Sequence, residues 1–280
     1  MLSYRHQFHA GNIADVFKHA LLTRLLLALN RKDKPYCVVE THAGIGLYDL
    51  QHAWAQKTGE WQKGIARLWS RSGAPELLRP YLDAVHAENP DGQLRYYPGS
   101  PCITRRLMRE TDRLVLYELN KDDCETLRSH FRYSRHTSIQ QQDGYTAIKA
   151  TLPPKERRGL LFIDASFDQG DDFTRVARAV KEAHSRFATG MTAVWYPLMG
   201  RSAIEAFERS LLSAGLPKTL QLELFTESRD YSEHISGSGL IVINPPYGLD
   251  QEAPPLLDWL WRALSPEGKG DTRCEWLIPE

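Results

Sequence analysis

The sequence of 280 residues predicts an α/β fold, in which a largely parallel sheet is covered by helices on both faces. Short apolar runs of strand length alternate along the chain with amphipathic helical patterns, and parallel strands need such helical crossovers between them. The first apolar run, at 36–40, breaks into a turn at 41–46 that contains two glycines. A buried strand that ends in a glycine turn is typical of α/β folds that bind a ligand where their strands end.

The individual elements follow from these patterns in chain order. An amphipathic helix is predicted at 15–30, with Asp15 near its start, ahead of the first strand. A weaker strand-like piece precedes Asp143, and the short apolar piece at 276–279 is interpreted as an edge strand. Further strands are predicted at 114–119, 160–164, 191–198, 220–225 and 240–245, and helices at 121–132, 174–188 and 202–214.

One stretch departs from this alternation. Between the glycine turn and Leu94 the sequence has helix-like segments at 59–70 and 75–88 and no convincing strand. We therefore expect a single domain over residues 1–280, with a small helical insertion subdomain at approximately 50–93. The insertion should stand on the side of the sheet where the strands end.

Composition and charge narrow the class of protein. The 35 basic and 35 acidic residues balance, so the bulk positive charge that commonly accompanies nucleic-acid binding is absent. Three local basic clusters are interpreted as solvated surfaces, with a patch that tracks a nucleic-acid backbone as the alternative. These clusters are Arg105/Arg106/Arg109, Arg128/Arg132/Arg135 and Lys155/Arg157/Arg158.

The same composition disfavours disulfide, metal and membrane classes. The four cysteines are scattered and form no CxxC pair, which fits a reducing cytoplasm, where we expect the protein. His6, His9 and His19 have no matching cysteine or carboxylate cluster, so no metal is expected. No apolar run approaches the roughly 20 residues of a membrane span, and no membrane association is expected.

The first strand end favours an adenosyl ligand over a dinucleotide. Gly44 and Gly46 let the backbone approach a ligand closely, because no Cβ stands in the way. A dinucleotide fingerprint needs a third glycine, and position 49 is Asp49 instead. NAD or FAD is therefore disfavoured, whereas an adenosyl ligand without a pyrophosphate fits. A simple tight turn is the alternative.

Acidic residues stand at the next two strand ends. Glu118 could accept hydrogen bonds from a ribose diol, or it could cap the following helix. Asp143 could accept from an adenine amine while Gly144 leaves room for the ring, or the pair could form an ordinary Asp-Gly turn.

Two tetrapeptides compete for the catalytic position. Residues 244–247, Asn-Pro-Pro-Tyr, look like the signature of amino-group methyltransferases, and residues 164–167 read Asp-Ala-Ser-Phe. In such enzymes the catalytic tetrapeptide follows the fourth strand, next to the methyl donor. Asn244 comes three strands later, so we interpret 244–247 as a rigid Pro-Pro turn and favour Asp164.

The strand ends and the N-terminus together resemble one known family. The resemblance lies in the segments MLSYRHQFHAGNIADVFKH, THAGIG, GIARLW, RYYPGSP and INPPY, and it extends to the terminal WLIPE. These segments resemble the RlmJ family of 23S ribosomal RNA adenine-N6 methyltransferases over the full length of the chain. The resemblance implies a Rossmann-like class I methyltransferase fold with a small helical insertion.

The resemblance also implies ligands and roles. It implies S-adenosyl-L-methionine as the cofactor and 23S ribosomal RNA, naked or partly assembled, as the partner. Asp164 would be the catalytic acceptor, and Tyr4 and Lys18 would contact the RNA. The cofactor contacts would be His19, His42, Ser100, Glu118, Asp143 and Gly144.

The chain departs from the family at one motif. The family's fourth-strand motif is normally Asp-Pro-Pro-Tyr, whereas residues 164–167 read Asp-Ala-Ser-Phe. Asp164 and the carbonyl at 165 still offer two acceptors for an amine, and Phe167 still offers a ring for stacking a flipped base. The rigidity of the prolines is lost. We predict an active enzyme, with two alternatives: a catalytically degenerate RNA-binding or assembly factor, and a DNA adenine methyltransferase.

Overall fold

An eight-stranded sheet forms the centre of the computed structural model, which describes residues 4–227 and 235–279. Two further short strands pair in a hairpin outside this sheet. In chain order the strands are β1 (Cys37–Glu40), β2 (Leu47–Asp49), β3 (Tyr96–Pro98), β4 (Arg113–Glu118), β5 (Thr137–Gln141), β6 (Gly159–Ile163), β7 (Met191–Leu198), β8 (Thr219–Phe225), β9 (Gly237–Ile243) and β10 (Thr272–Ile278).

The strand order of the sheet is β10-β8-β9-β7-β6-β1-β4-β5. Strands β5, β4, β1, β6 and β7 pair in parallel, whereas β9 lies antiparallel between β7 and β8, and β10 pairs antiparallel with β8. This topology confirms the predicted α/β, Rossmann-like sheet. The chain order reverses between β1 and β6, so a crevice for a ligand is expected at the carboxyl ends of these two strands.

Helices cover both faces of the sheet. One buried apolar cluster includes the leucines of the first and last helices, and a second lies on the opposite face. In chain order the helices are α1 (Ile13–Asn30), α2 (Ala53–Thr58), α3 (Ala66–Trp69), α4 (Arg79–Ala87), α5 (Ser100–Leu107), α6 (Lys121–His130), α7 (Gly144–Thr151), α8 (Asp172–Arg186), α9 (Arg201–Leu212) and α10 (Leu249–Leu264). None of the helices in the two described ranges is long and apolar enough to cross a membrane.

Helix α1 is buried on most of its surface. Its N-cap residue is Asn12, whose side chain accepts a hydrogen bond from the Asp15 backbone N–H at 2.9 Å. It packs against α4, α5, α10 and strand β9. Because so many elements surround it, even its polar residues Asp15, Lys18 and His19 are buried. The first turns of α1 therefore carry polar groups into the interior beside the sheet.

The segment predicted as a helical insertion lies between β2 and β3. It contains α2, α3 and α4, with two short 3-10 turns at Glu60–Gln62 and Glu76–Leu78. The antiparallel pairing of β2 with β3 brings the two ends of this segment together. These two strands were not predicted, because three residues are too few for a periodic pattern. Treating approximately 50–93 as a separate subdomain stays a prediction.

Candidate active site

A cavity opens at the carboxyl ends of the parallel strands β1, β4, β5 and β6. Side chains from the N-terminal arm, from α1 and from the start of α5 complete its wall. The residues predicted from the sequence that line it are Tyr4, Lys18, His19, His42, Ser100, Glu118, Asp143, Gly144 and Asp164. Phe167 is not among the lining residues.

Two glycines allow close approaches in this wall, one to a side chain and one to the backbone. Gly44 has a φ of 60°, and a Cβ there would lie 2.2 Å from the hydroxyl oxygen of Tyr48. At Gly144, the first residue of α7, a Cβ would lie 2.1 Å from the carbonyl oxygen of Thr41. A side chain at either position would displace its neighbour, so both glycines are required by packing around the cavity.

The two acidic strand ends cap backbone groups and line the cavity at the same time. Glu118 accepts hydrogen bonds from the N–H groups of Gly44, at 2.9 Å, and Asn120, at 2.7 Å. Burial raises the pKa of Glu118 above its ordinary value, against these backbone hydrogen bonds. Asp143 caps α7 by accepting from the Tyr145 N–H at 2.8 Å. The helix that follows Glu118, α6, is capped by Asn120, so the capping alternative for Glu118 is not realised, whereas Asp143 caps α7 rather than forming an isolated Asp-Gly turn. Both carboxylates border the cavity.

A buried carboxylate supports Ser100 from behind. The Ser100 hydroxyl donates to Glu40 at 2.7 Å, and the Thr104 hydroxyl donates to its other oxygen at 2.9 Å. Glu40 is only 1% exposed. Burial raises its pKa to about 7, although both hydroxyls favour the charged form. Ser100 is therefore held in one orientation at the start of α5.

Both predicted histidines of the cavity are uncharged at neutral pH. Burial lowers the pKa of His19 to about 3, and the carboxylate of Asp15 opposes this only in part. The His19 Nδ1 lies 2.7 Å from the hydroxyl of Tyr97. Burial also lowers the pKa of His42 to about 4. Neutral imidazoles can both donate and accept hydrogen bonds, so each can orient a polar ligand.

The N-terminal arm is joined to α1 through a chain of hydrogen bonds that ends at the buried Asp15. The His6 Nε2 lies 3.0 Å from the Asp15 carboxylate, and the His6 Nδ1 lies 2.8 Å from the Tyr4 hydroxyl. A carboxylate only accepts, so the His6 Nε2–H donates to Asp15. Asp15 also accepts from the Gly11 N–H at 2.8 Å.

Lys18 connects this chain to Asp164. Its ammonium lies 2.8 Å from Asp15 and 2.7 Å from the Oδ2 of Asp164, and it stands 5.3 Å from the ring centre of Trp195. Burial alone would lower the pKa of Lys18, but the two carboxylates raise it above its ordinary value. Burial alone would raise the pKa of Asp15, yet His6 and Lys18 lower it well below its ordinary value. Lys18 is therefore a fixed cation that positions Asp164 at the end of β6.

Comparisons with known proteins identify the family of the chain. The family model described as "Ribosomal RNA large subunit methyltransferase D, RlmJ" matches residues 33–278. The chain belongs to this RlmJ family. The prediction that it is a methyltransferase is thereby confirmed at the level of the family.

Relatives of the RlmJ family match the whole chain. The protein named Ribosomal RNA large subunit methyltransferase J from Escherichia coli (strain K12) is 43% identical over 280 residues, with 100% of both chains covered. The protein of the same name from Haemophilus influenzae is 41% identical over 281 residues, again with 100% of both chains covered. A crystal structure from Legionella pneumophila str. Philadelphia 1 has a TM-score of 0.89 at 37% identity and covers 96% of this chain and 98% of that one.

The motif that departs from the family pattern has its own local structure. Phe167 has a φ of 51°, which is in the left-handed region, and the Ser166 hydroxyl donates to Asp168 at 2.6 Å. The Phe167 ring packs 4.8 Å from the ring of Phe173 and 5.7 Å from that of Trp195. The ring is thus engaged in packing beside the cavity, and its stacking on a flipped base stays a prediction.

The competing tetrapeptide lies at the end of the strands that is opposite the cavity. Strand β9 is antiparallel to β7, so Asn244 follows it at the edge opposite the cavity. The Asn244 side chain donates to the carbonyl oxygens of Ala188 and Gly190, each at 2.8 Å. Tyr247 is 94% exposed. Residues 244–247 therefore form a turn beside the start of β7, away from the cavity, as we inferred from their position in the chain.

Several groups of the site could not be recognised from the sequence. Asp15 was assigned only to the start of α1, although its spacing of three residues from Lys18 would have indicated an ion pair. Glu40 and Trp195 belong to apolar strand patterns and carry no separate signal. Across residues 4–227 and 235–279, no group of three or more His, Cys, Asp or Glu side chains is arranged to hold a metal ion.

Proposed function

We propose that the protein transfers a methyl group from S-adenosyl-L-methionine to the exocyclic amine, N6, of an adenine in 23S ribosomal RNA. The observation that carries this proposal is the Asp164 carboxylate, which Lys18 holds at 2.7 Å at the end of β6, in the wall of the strand-end cavity. Membership of the RlmJ family and the names of the two relatives support ribosomal RNA as the substrate.

The residues of the cavity fit the proposed cofactor. Glu118 uses one lone pair of each oxygen on a backbone N–H, so further lone pairs can accept from the ribose hydroxyls. Asp143 can accept from the adenine amine, and the absence of a side chain at Gly144 keeps that wall close to the backbone at Thr41. His19, His42 and Ser100 would complete the contacts. When bound, S-adenosyl-L-methionine would supply an electrophilic methyl group.

Asp164 and the backbone at Ala165 would prepare the substrate amine. The lone pair of an adenine amine is delocalised into the ring, which makes the amine a poor nucleophile. Lys18 engages the Oδ2 of Asp164, so Oδ1 and the Ala165 carbonyl are the candidate acceptors for the two amine hydrogens. Accepting them turns the lone pair toward the donor side of the cavity, and Asp164 or water takes the proton once the nitrogen is methylated.

The geometry of the cavity also bears on the state of the RNA. An adenine that reaches Asp164 must leave its base stack, which costs a few kcal/mol and least where the base is already unpaired. We therefore propose naked or partly assembled RNA as the substrate, with Tyr4 and Lys18 beside the target nucleotide. A cytoplasmic location follows from that substrate.

The test is a transfer assay with labelled donor and unmodified 23S ribosomal RNA made by transcription. Label in N6-methyladenosine after digestion is the expected result, and good donor binding with no such product would overturn the proposal. A matching DNA of the same sequence serves as competitor. Equal methylation of DNA would replace RNA with DNA as the substrate.

Two variants separate the competing tetrapeptides. Asp164→Ala should reduce transfer by at least about 10²-fold, as misplacement or loss of a positioning group does, while donor affinity measured by calorimetry changes little. Asn244→Gly is the matched control, because it removes the amide and tolerates the left-handed φ of 51°. Full transfer by Asp164→Ala together with loss in Asn244→Gly would assign catalysis to residue 244.

The departure at residues 165–167 supports a second candidate function, RNA binding without turnover. Its structural basis is the Phe167 ring, which packs on Phe173 and Trp195 and does not line the cavity. Tight binding of RNA without product would favour this candidate. The triple variant Ala165→Pro, Ser166→Pro, Phe167→Tyr should then recover transfer.

A further inference from the structure

An exposed tryptophan stands beside the N-terminal arm, on the segment between β2 and β3. Trp54, in the short helix α2, stacks on Phe8 with ring centres 5.0 Å apart and planes within 10°. The Trp54 side chain remains 41% exposed despite this contact, and its neighbour His52 packs edge-on at 5.2 Å. A large flat ring supported from one side and open to solvent is the form that base-stacking side chains take in proteins that bind single strands.

Trp54 is connected to the cavity by a series of rings. Phe8 lies 6.5 Å from His9, and His9 stacks on Tyr4 with ring centres 5.3 Å apart and planes within 8°. Tyr4 lines the cavity. We call Trp54, Phe8, His9 and Tyr4 the ring series. It leads from an exposed aromatic surface to the place where the target base would enter.

The ring series is held in place and carries positive charge beside it. His9 lies 2.9 Å from the Glu60 carboxylate, and the Thr58 hydroxyl donates to the backbone carbonyl of Phe8. The ammonium of Lys57, which is an exposed residue, stands 6.0 Å from the ring centre of Phe8. A cation beside stacked rings suits a segment that carries both bases and phosphates.

We propose that the exposed face of Trp54 stacks an unpaired base of the RNA strand that neighbours the target adenine. This inference rests on the proposed RNA substrate and adds a specific contact to it. The ring series offers a continuous path for a strand whose target nucleotide lies in the cavity. Stacking of this kind tolerates any base, so it would contribute affinity and strand placement rather than sequence selectivity.

The first experiment compares the RNA affinity of the whole protein with that of single variants. The probe is unmodified transcribed 23S ribosomal RNA, measured by filter binding at constant salt. Trp54→Ala should weaken binding about 5- to 150-fold, the range known for loss of one base–aromatic stack, and Trp54→Phe should restore most of it. Trp276→Ala is the matched control, because Trp276 is 37% exposed on β10 at the far edge of the sheet.

A second experiment distinguishes stacking from a structural role of Trp54. The methylated adenine is mapped in the transcript, and hairpins around it are synthesised with an abasic nucleotide at each flanking position in turn. One abasic position should weaken binding to the wild-type protein about 5- to 150-fold and binding to Trp54→Ala less than about two-fold. If Trp54 has only a structural role, the loss of affinity caused by each abasic site should multiply the loss caused by Trp54→Ala at every position. In steady-state kinetics the variant should raise KM for RNA with kcat and donor affinity unchanged.

The outcomes separate this inference from the proposed function. Wild-type binding and methylation of RNA, with Trp54→Ala equal to wild type within two-fold, would overturn the stacking contact and leave the function intact. Multiplying losses in the abasic series would overturn it as well. A wild-type protein that neither binds nor methylates the RNA would overturn both.

Discussion

At the scale of single residues, Lys18 ties the folding of helix α1 to the chemistry proposed for Asp164. It is 4% exposed and forms ion pairs with both Asp15, which is fully buried, and Asp164. Removing one partner of a buried pair typically destabilises a protein by about 3–5 kcal/mol, because it leaves an unpaired charge behind. Variants of Lys18 or Asp15 would therefore mix loss of folding with loss of activity. Asp164, whose side chain is 13% exposed, is the cleaner position for a kinetic test.

Glu40 allows a prediction about pH and stability. Burial raises its pKa to about 7 in the folded protein, so the folded protein holds this proton more tightly than the unfolded chain does. The free energy of unfolding should therefore fall as the pH rises from about 4.5 to 7. Glu40→Gln removes this titration. The unfolding free energy of the variant minus that of the wild type should increase by about 1.4 kcal/mol for each pH unit in this window. Urea unfolding of both proteins at several pH values measures it.

The comparison with the wild type is needed because histidines act in the opposite direction. The pKa of His19 is lowered by burial to about 3, so His19 favours unfolding as the pH falls below about 6.5. The two effects partly cancel in the wild-type curve, and only the difference between the two proteins isolates Glu40. A difference that stays constant from pH 4.5 to 7 would mean that Glu40 is ionised throughout this range. Its hydrogen bonds to Ser100 and Thr104 would then outweigh burial.

Which cavity residues could be predicted depends on where their signal lies. Glu118, Asp143 and Asp164 each follow an apolar run, and a polar residue at a strand end is visible in the sequence alone. Glu40 ends its strand too, but its burial beneath Ser100 depends on how α5 packs. Asp15 joins the site only because α1 is enclosed by other elements. The position of Phe167 could not be predicted, because its ring contacts come from α8 and β7.

At the scale of elements, the long apolar strands and amphipathic helices were predictable and the shorter or proline-containing elements were not. The predicted bounds of every strand that was inferred from an apolar run lie within four residues of the observed ones. Helix α10 was missed. It contains Pro254 and Pro255, each of which disfavours a helix interior by about 3 kcal/mol. Its leucines, such as Leu256 and Leu260, are fully buried, so tertiary packing overrides the local preference.

Gly144 gives a prediction about the junction between β1 and α7. A Cβ at this position would lie 2.1 Å from the Thr41 carbonyl oxygen and 2.6 Å from its Cα, both of which are backbone atoms that cannot turn aside. Gly144→Ala should therefore lower the unfolding free energy by at least about 2 kcal/mol and weaken donor binding. Urea unfolding and calorimetry measure the two effects.

Gly170 supplies the matched control for this substitution. It has no atom within 4 Å of an added Cβ, and its backbone lies outside the left-handed region. Gly170→Ala should change stability by no more than about 0.5 kcal/mol. Equal stability of the two alanine variants would show that the close approach of α7 to the end of β1 is not required.

At the scale of the whole molecule, charge is balanced overall, and arginines near the cavity are paired with carboxylates. The formal net charge is zero. Near the cavity, Arg5 lies 2.7 Å from Asp123, and Arg175 lies 3.4 Å from Asp172 and 3.9 Å from Asp143. An arginine that already pairs with a carboxylate attracts a phosphate less strongly than a free arginine does. Shape and stacking should therefore carry much of the affinity for RNA, as the ring series suggests.

This balance predicts a weak salt dependence of RNA binding. Each phosphate neutralised on a single strand contributes about −0.7 to the slope of log K against log salt concentration, so contacts with about two to four phosphates give a slope of about −1.4 to −2.8. Filter binding between about 50 and 200 mM salt measures the slope.

Lys57→Gln should make the slope shallower by about 0.7, because one phosphate contact is lost. Trp54→Ala should weaken binding by the same factor at every salt concentration and leave the slope unchanged. A slope steeper than about −5 would mean that a basic surface, such as Arg128, Arg132 and Arg135, dominates binding and that stacking is secondary.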